Sequence, residues 1–259
     1  MVQTDSPASN PPRVPWEREL ILAIDAGNTR IKWGMHDGAQ WMAGGTAVKG
    51  EITRLQDAWK VLPTPAKIII ANVAGQLVRS ELSVLLGRWR IAPHWLESAA
   101  SQCGVVSHYE KPAQLGCDRW AALIGARHLH EGAAVVVMVG TAMTVDALTT
   151  DGRFLGGLIV PGLNLMLEAL AAKTSGIRVA SGKVQSFPTN TADAVWSGAL
   201  SASSGVIERM REALEAAGEM APTVLLSGGA ADEIEPFVRG PCERVENLVL
   251  EGLARIAMS

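Results

Sequence analysis

Apolar residues in this chain come in short unbroken runs closed by turn signals, and one succession of runs occurs twice. Leu20–Ile24 is continuous, the pattern of a strand buried on both faces. Asp-Ala-Gly-Asn-Thr (25–29) follows, then a second strand over Arg30–Met35, then Asp37-Gly38, a dipeptide that favours hairpin turns. Gln40–Val48 reads as a third strand. Residues 134–162, AVVVMVGTAMTVDALTTDGRFLGGLIVPG, repeat the plan: apolar run, Gly-Thr turn, strand, Asp151-Gly152, strand. Setting Gly27 over Gly140 places Asn28-Thr29 over Thr141-Ala142, and the two Asp-Gly pairs then agree within one residue.

Helical stretches follow both units: Gln76–Trp89 and Cys117–His130 in the first, Asn164–Lys173 and Ala192–Ala217 in the second. The strand-like segments KIIIANVA (67–74) and TVLLSGGA (223–230) occupy similar places in the two halves. A duplicated β-β-β-α unit predicts two similar α/β domains, 19–130 and 131–259, facing each other across a cleft into which both turns point. The alternative is chance recurrence of two hairpins. Residues 1–18 are rich in Pro, Ser and polar groups and lack the basic start and apolar core of a signal peptide, so they read as a disordered tail.

Composition narrows the partners. With 48% hydrophobic and 19% charged residues over 259 positions, the chain can bury a sizeable core and global disorder is not expected. A net charge of -3 gives no basic face for nucleic acid. The longest apolar stretch, near Ala133–Val145, is broken by Gly140 and two threonines and stops at Asp146, too short for a membrane span. Cys103, Cys117 and Cys242 are scattered and odd in number, which suits a reducing cytoplasm better than a disulfide framework or a zinc site.

The turns carry the candidate chemistry. Gly27 and Gly140 let backbone approach a ligand, and N–H groups of a tight turn form an anion-binding nest. Thr29, Thr141 and Thr144 add hydroxyls. Asp25 closes a buried strand, where a carboxylate suits Mg²⁺ held through water beside substrate phosphates. Arg30 and Lys32 share one face of the second strand. There is no Walker A loop and no G-x-G-x-x-G fingerprint. D-x-G also makes ordinary turns, and it is the pairing with the second turn that favours phosphate. In GCDRWAALIGARHLH (116–130), Trp120, Leu123, Ile124, Arg127 and His128 follow helical spacing. Asp118 is there either a first-turn acid or a general base, and Arg119 either surface charge or a carboxylate or phosphate clamp; spacing does not choose. Tyr109, the only tyrosine, reads by itself as a packing residue.

Three stretches, DAGNTRIK (25–32), GCDR (116–119) and GTAMT (140–144), in this order and spacing, resemble the type III pantothenate kinases, also called the Bvg accessory factor family. GGLIVPGL (156–163), NTADAVWSGAL (190–200), LSGGAA (226–231) and ENLVLEGL (246–253) look like later signatures of that family. The resemblance implies an α/β fold of duplicated actin-like domains with a cleft between them, the acetate and sugar kinase/Hsp70/actin, ribonuclease H-like architecture. It implies Mg-ATP-dependent phosphorylation of pantothenate to 4′-phosphopantothenate, the first step of coenzyme A synthesis, in the cytoplasm, with K⁺ or NH₄⁺ as monovalent cation. It also implies a homodimer with a shared pantothenate pocket, with neither nucleic acid nor membrane as partner. By the same resemblance Asp25, Ala26, Gly27, Asn28, Thr29, Arg30, Ile31 and Lys32 fall on the first ATP phosphate segment, and Thr141 on a second ATP contact. Asp118 falls on the catalytic base. Tyr109, Gly116, Cys117, Asp118, Arg119 and Thr191 fall on the pantothenate site, Thr191 reaching the neighbouring subunit's pocket. One position departs: the Asp that the family places in its monovalent-cation site is Met138 here, and a thioether is a poor ligand for a hard cation. The name of the family also keeps a non-catalytic regulatory homologue as the alternative function.

Overall fold

The computed structural model describes residues 19–174 and 181–259; the expected tail at 1–18 lies outside the described residues. Strands β1 (Ile21–Ala26), β2 (Arg30–His36), β3 (Trp41–Val48), β4 (Lys67–Asn72) and β5 (His94–Trp95) form one sheet in the order β3-β2-β1-β4-β5. Strand β1 is antiparallel to β2 and parallel to β4, so both its edges are hydrogen-bonded and only its side chains have faces to choose. Strand alternation then splits them. Leu22, Ile24 and Ala26 pack outward with helices α1 (Thr53–Trp59) and α2 (Gln76–Leu86), through Leu55, Trp59, Val78 and Leu82. Ile21 and Ala23 face inward, in one core cluster with Trp120 and Leu123 of helix α3 (Cys117–Leu129). Each fully buried Leu or Ile among these stabilises the fold by roughly 1.5–3 kcal/mol.

The second sheet contains β6 (Ser101–Gln102), β7 (Val105–Ser107), β8 (Ala134–Val139), β9 (Ala142–Leu148), β10 (Arg153–Pro161), β11 (Thr223–Gly228) and β12 (Cys242–Arg244), in the order β12-β11-β8-β9-β10-β7-β6. Its outer face carries α4 (Leu163–Lys173), α5 (Thr191–Ala216) and α6 (Ala231–Ile234), which pack on Val135, Val137 and Val145. Its inner row, Ala134, Val136 and Leu148, meets α3 and the last helix, α7 (Leu248–Met258). The layers are therefore helix, sheet, a central helix pair, sheet, helix. Strands β6 and β7, early in the chain, pair into the second sheet, whereas α7 packs on β1 and β4 of the first. Where α3 and α7 cross, Gly125 and Gly252 bring the backbones together: a Cβ on Gly252 would strike the Ala121 carbonyl oxygen, and one on Gly125 that of Leu248.

The internal repeat is visible in burial. Strands β1 and β8 share one residue-by-residue pattern of burial, and so do β2 and β9. The turns differ from the expected overlay. Gly27 donates to the Arg30 carbonyl and Gly140 to the Ala142 carbonyl, both at 3.0 Å, so Arg30 corresponds to Ala142 and the second turn is one residue shorter. Thr29, not Asn28, is the counterpart of Thr141. The first strand also runs past Ile24 through Asp25 and Ala26, and the helix expected to reach Trp89 stops at Leu86, followed by a 3-10 turn over Gly87–Trp89.

Candidate active site

Asp25 is third in the inward row Ile21, Ala23, Asp25, so the alternation that buries two apolar side chains delivers a carboxylate to the edge of the central layer. It has no side-chain hydrogen bond or ion pair among the described residues. Burial pushes its pKa up to about 7, the nearby charge of Asp118 adds to this, and Lys32, its register partner on β2, opposes it. Ala26 and Ile31 point into the outer core and offer only backbone, while Asn28, Thr29 and Arg30 are exposed at the turn. The two turns meet: Oγ1 of Thr29 lies 2.6 Å from Oγ1 of Thr141. Phosphate-type donors from both halves of the repeat thus share one point.

The first turn of α3 supplies the second carboxylate. Gly116 is its N-cap, and Asp118 Oδ1 accepts the Arg119 backbone N–H at 2.8 Å. A negative charge is favoured at this end of a helix. Burial nevertheless raises the Asp118 pKa, while Arg119 pulls it back. The Cys117 thiol is pushed up to about 11, mainly by burial, and is held as an unreactive thiol.

Arg119 is only 5% exposed, and three of its guanidinium N–H bonds are engaged. Its Nε donates to Asp146 Oδ2 at 3.1 Å, its Nη2 donates to Asp146 Oδ1, and its Nη1 donates to the Tyr109 hydroxyl at 3.1 Å. Tyr109 packs against Phe154 with ring centroids 5.3 Å apart. The paired carboxylate raises the Arg119 pKa further and keeps it charged, whereas burial pushes Asp146 up against the pull of Arg119. Sequence reasoning missed Asp146, taking it as the point where an apolar run stops. The run continues to Leu148, so Asp146 is an acid inside a buried strand with 0% exposure. That position was the available signal, because a buried carboxylate requires a partner.

Met138 is the structural counterpart of Asp25, fifth in β8 as Asp25 is fifth in β1. It packs against the central core, and its register partner Thr144 has a buried Oγ1 with no hydrogen-bond partner among the described residues. A thioether beside one hydroxyl does not make a site for K⁺, which prefers several oxygens. No group of three or more His, Cys, Asp or Glu side chains able to hold a metal occurs among the described residues. Asp25 does fit Mg²⁺ held through water, as a carboxylate with no side-chain hydrogen bond or ion pair among the described residues, just before the first turn. Thr191 lies elsewhere, exposed at the start of α5 behind its Asn190 cap. It borders an apolar groove of 540 Å³ lined by Met166, Leu170, Val195 and Ala199. No hydrogen bond joins it to Tyr109, Asp118 or Arg119.

Comparison with known proteins gives a consistent result. A family profile described as type III pantothenate kinase matches residues 21–213. A type III pantothenate kinase of Nitrosospira multiformis is 46% identical over 238 residues, 92% of this chain and 91% of that one. Among solved structures, a Campylobacter jejuni protein described under the Baf family name superposes with TM-score 0.60 at 19% identity, covering 92% of this chain and 97% of its own. The activator of 2-hydroxyisocaproyl-CoA dehydratase from Clostridium difficile, with bound ADPNP, gives TM-score 0.52 at 13% identity, covering 92% and 93%. The structural likenesses establish the duplicated actin-like fold.

Proposed function

The chain belongs to the type III pantothenate kinase family, and from that membership we infer that it transfers the γ-phosphoryl group of ATP to the primary hydroxyl of pantothenate, the first step of coenzyme A synthesis. The regulatory alternative is not favoured, since the relatives that align along nearly the whole chain are named as kinases. The observation that carries the chemistry is the approach of two half-buried carboxylates, Asp25 and Asp118, near enough for the charge of one to bear on the other, with Asp25 just before the turn that meets Thr141.

Asp118 is the base. It accepts the hydroxyl proton as the substrate oxygen bonds to the γ-phosphorus and the bond to the bridging oxygen of ADP breaks. Asn28, Thr29 and Thr141 donate to phosphate oxygens where Gly27 lets the backbone approach, with Arg30 and Lys32 adding positive charge, so positioning and preorganised charge lower the barrier. Mg²⁺ bound with the nucleotide neutralises phosphate charge, and Asp25 is the residue that would hold it through water. Tyr109, Gly116, Cys117 and Arg119 bound the pantothenate pocket, and Arg119 takes the substrate carboxylate. We assign the two repeats to 19–130 and 131–259 and the enzyme to the cytoplasm. The apolar groove beside Thr191, together with exposed Leu158, Ile159 and Leu170, supports a homodimer in which Thr191 completes the partner's pocket. Met138 supports activity that does not depend on K⁺ or NH₄⁺.

The deciding experiment is Mg-ATP-dependent phosphorylation of pantothenate by the purified protein, with Asp118→Asn as the comparison. Loss of turnover in a variant that still melts cooperatively supports the assignment. Turnover near that of the parent would remove Asp118 from the chemistry.

A further inference from the structure

Three separate strands and loops hold one side chain. Asp146 on β9 takes Nε and Nη2 of Arg119, and Tyr109, after β7, takes Nη1. Phe154 on β10 backs Tyr109, with the guanidinium carbon 5.9 Å from its ring centre. Gly157, also on β10, leaves the space: a Cβ there would collide with both Asp146 Oδ1 and Arg119 Nη2. A guanidinium has five N–H bonds. Three are committed here, and the two left are one on each terminal nitrogen. With the Tyr109 hydroxyl on the Nη1 hydrogen nearer Cδ, that pair is the planar fork that matches a carboxylate.

Stability alone does not account for this arrangement. Two well-packed apolar residues would serve a core as well as a buried ion pair, or better. What the ion pair adds is orientation: with Nε and one Nη2 hydrogen fixed on Asp146, the guanidinium cannot turn without leaving a buried charge unpaired.

We propose that Asp146 is the positioning residue through which Arg119 selects a carboxylate-bearing substrate. The inference rests on the reading of Arg119 as the pantothenate carboxylate clamp. Asp146 itself touches neither substrate nor nucleotide; it fixes which N–H bonds of Arg119 face the pocket. It thereby sets the preference for an acid over the matching alcohol at the end of the substrate remote from the reacting hydroxyl.

The test compares pantothenate with pantothenyl alcohol, in which CH₂OH replaces the carboxylate. It uses the full chain, parent and variants, with ATP-induced thermal shift as the check on folding. Asp146→Asn should raise KM for pantothenate about tenfold or more, the scale of losing a charge-assisted hydrogen bond, with kcat little changed. The kcat/KM for the alcohol should stay within about twofold, since that substrate does not use the fork. Because Asp146→Asn leaves Arg119 buried without its partner and can fail to fold, the double variant Arg119→Met/Asp146→Asn is measured beside Arg119→Met. Equal pantothenate KM in those two supports action through Arg119. A further tenfold loss in the double, or an equal fall for acid and alcohol in Asp146→Asn, would overturn the proposal. So would an unchanged pantothenate KM in a folded Asp146→Asn when Arg119→Met raises it. Should Arg119→Met itself leave that KM unchanged, the clamp reading fails, and the selection proposed for Asp146 fails with it.

Discussion

The β1–β2 and β8–β9 hairpins have the same strand polarity and the same burial pattern, yet only the first has an ionisable side chain at the fifth position of its leading strand. Asp25 faces Lys32 across the register in the first; Met138 faces Thr144 in the second. Burial pattern is the same in both copies, while the fifth strand position carries a carboxylate in one and a thioether in the other. The repeat therefore supplies two equivalent scaffolds, and on the reading proposed above the side chain at that position separates them in function.

The largest effect should come from erasing that difference. Asp25→Met makes the first hairpin resemble the second and should lower kcat by about 10²–10³, the usual cost of losing one electrostatic stabiliser. Met138→Leu, assayed alongside, should change kcat by less than about threefold, as expected of a volume-conserving swap. Comparable losses in the two variants would end the asymmetry.

Next comes pH. Burial pushes the pKa of Asp25 in the folded protein up to about 7 from an ordinary 3.8, so the folded protein holds this proton more tightly than the unfolded chain. Asp25 therefore favours folding most below the unfolded value, and its contribution falls as pH rises to about 7 and is flat beyond. In the metal-free protein Asp25→Asn should remove this downward trend in Tm. The acid limb of kcat/KM should move to lower pH as Mg²⁺ is raised, because the cation favours the ionised carboxylate.

A smaller effect is expected from Met138→Asp. The parent should turn over at equal rates in K⁺ and Na⁺, and the variant, given a carboxylate beside Thr144, should acquire several-fold stimulation by K⁺. Stimulation already present in the parent would show that oxygens other than a carboxylate serve. The smallest belongs to the hydroxyl pair. Thr29→Val and Thr141→Val should each raise KM for ATP by about three- to tenfold, the scale of one hydrogen bond.

The parts of the molecule that follow local rules were legible before any coordinates. Continuous apolar runs located β1, β8 and β11, the helical period located α3, and glycine with threonine marked both turns. Three features lie in hydrogen bonds and pairings that the apolar pattern does not show. Asp146 becomes conspicuous only once β9 is known to extend beyond it to Leu148. The shorter second turn shows only in which carbonyl Gly140 reaches, and it changes the partner of Thr141 from Asn28 to Thr29. The placement of β6 and β7 in the second sheet is fixed by pairing with β10, to which no sequence period refers.

The last helix has a consequence for the molecule as a whole. Helix α7 ends the chain after the second sheet is complete, yet it lies against β1 and β4 and threads its backbone along α3. Cut after residue 130, the first fragment would expose the apolar underside of its sheet, and the second would present α7 with nothing to cover. The two copies of the repeat are thus one cooperative unit of unfolding, and the protein cannot be halved into self-sufficient pieces along the symmetry that built it.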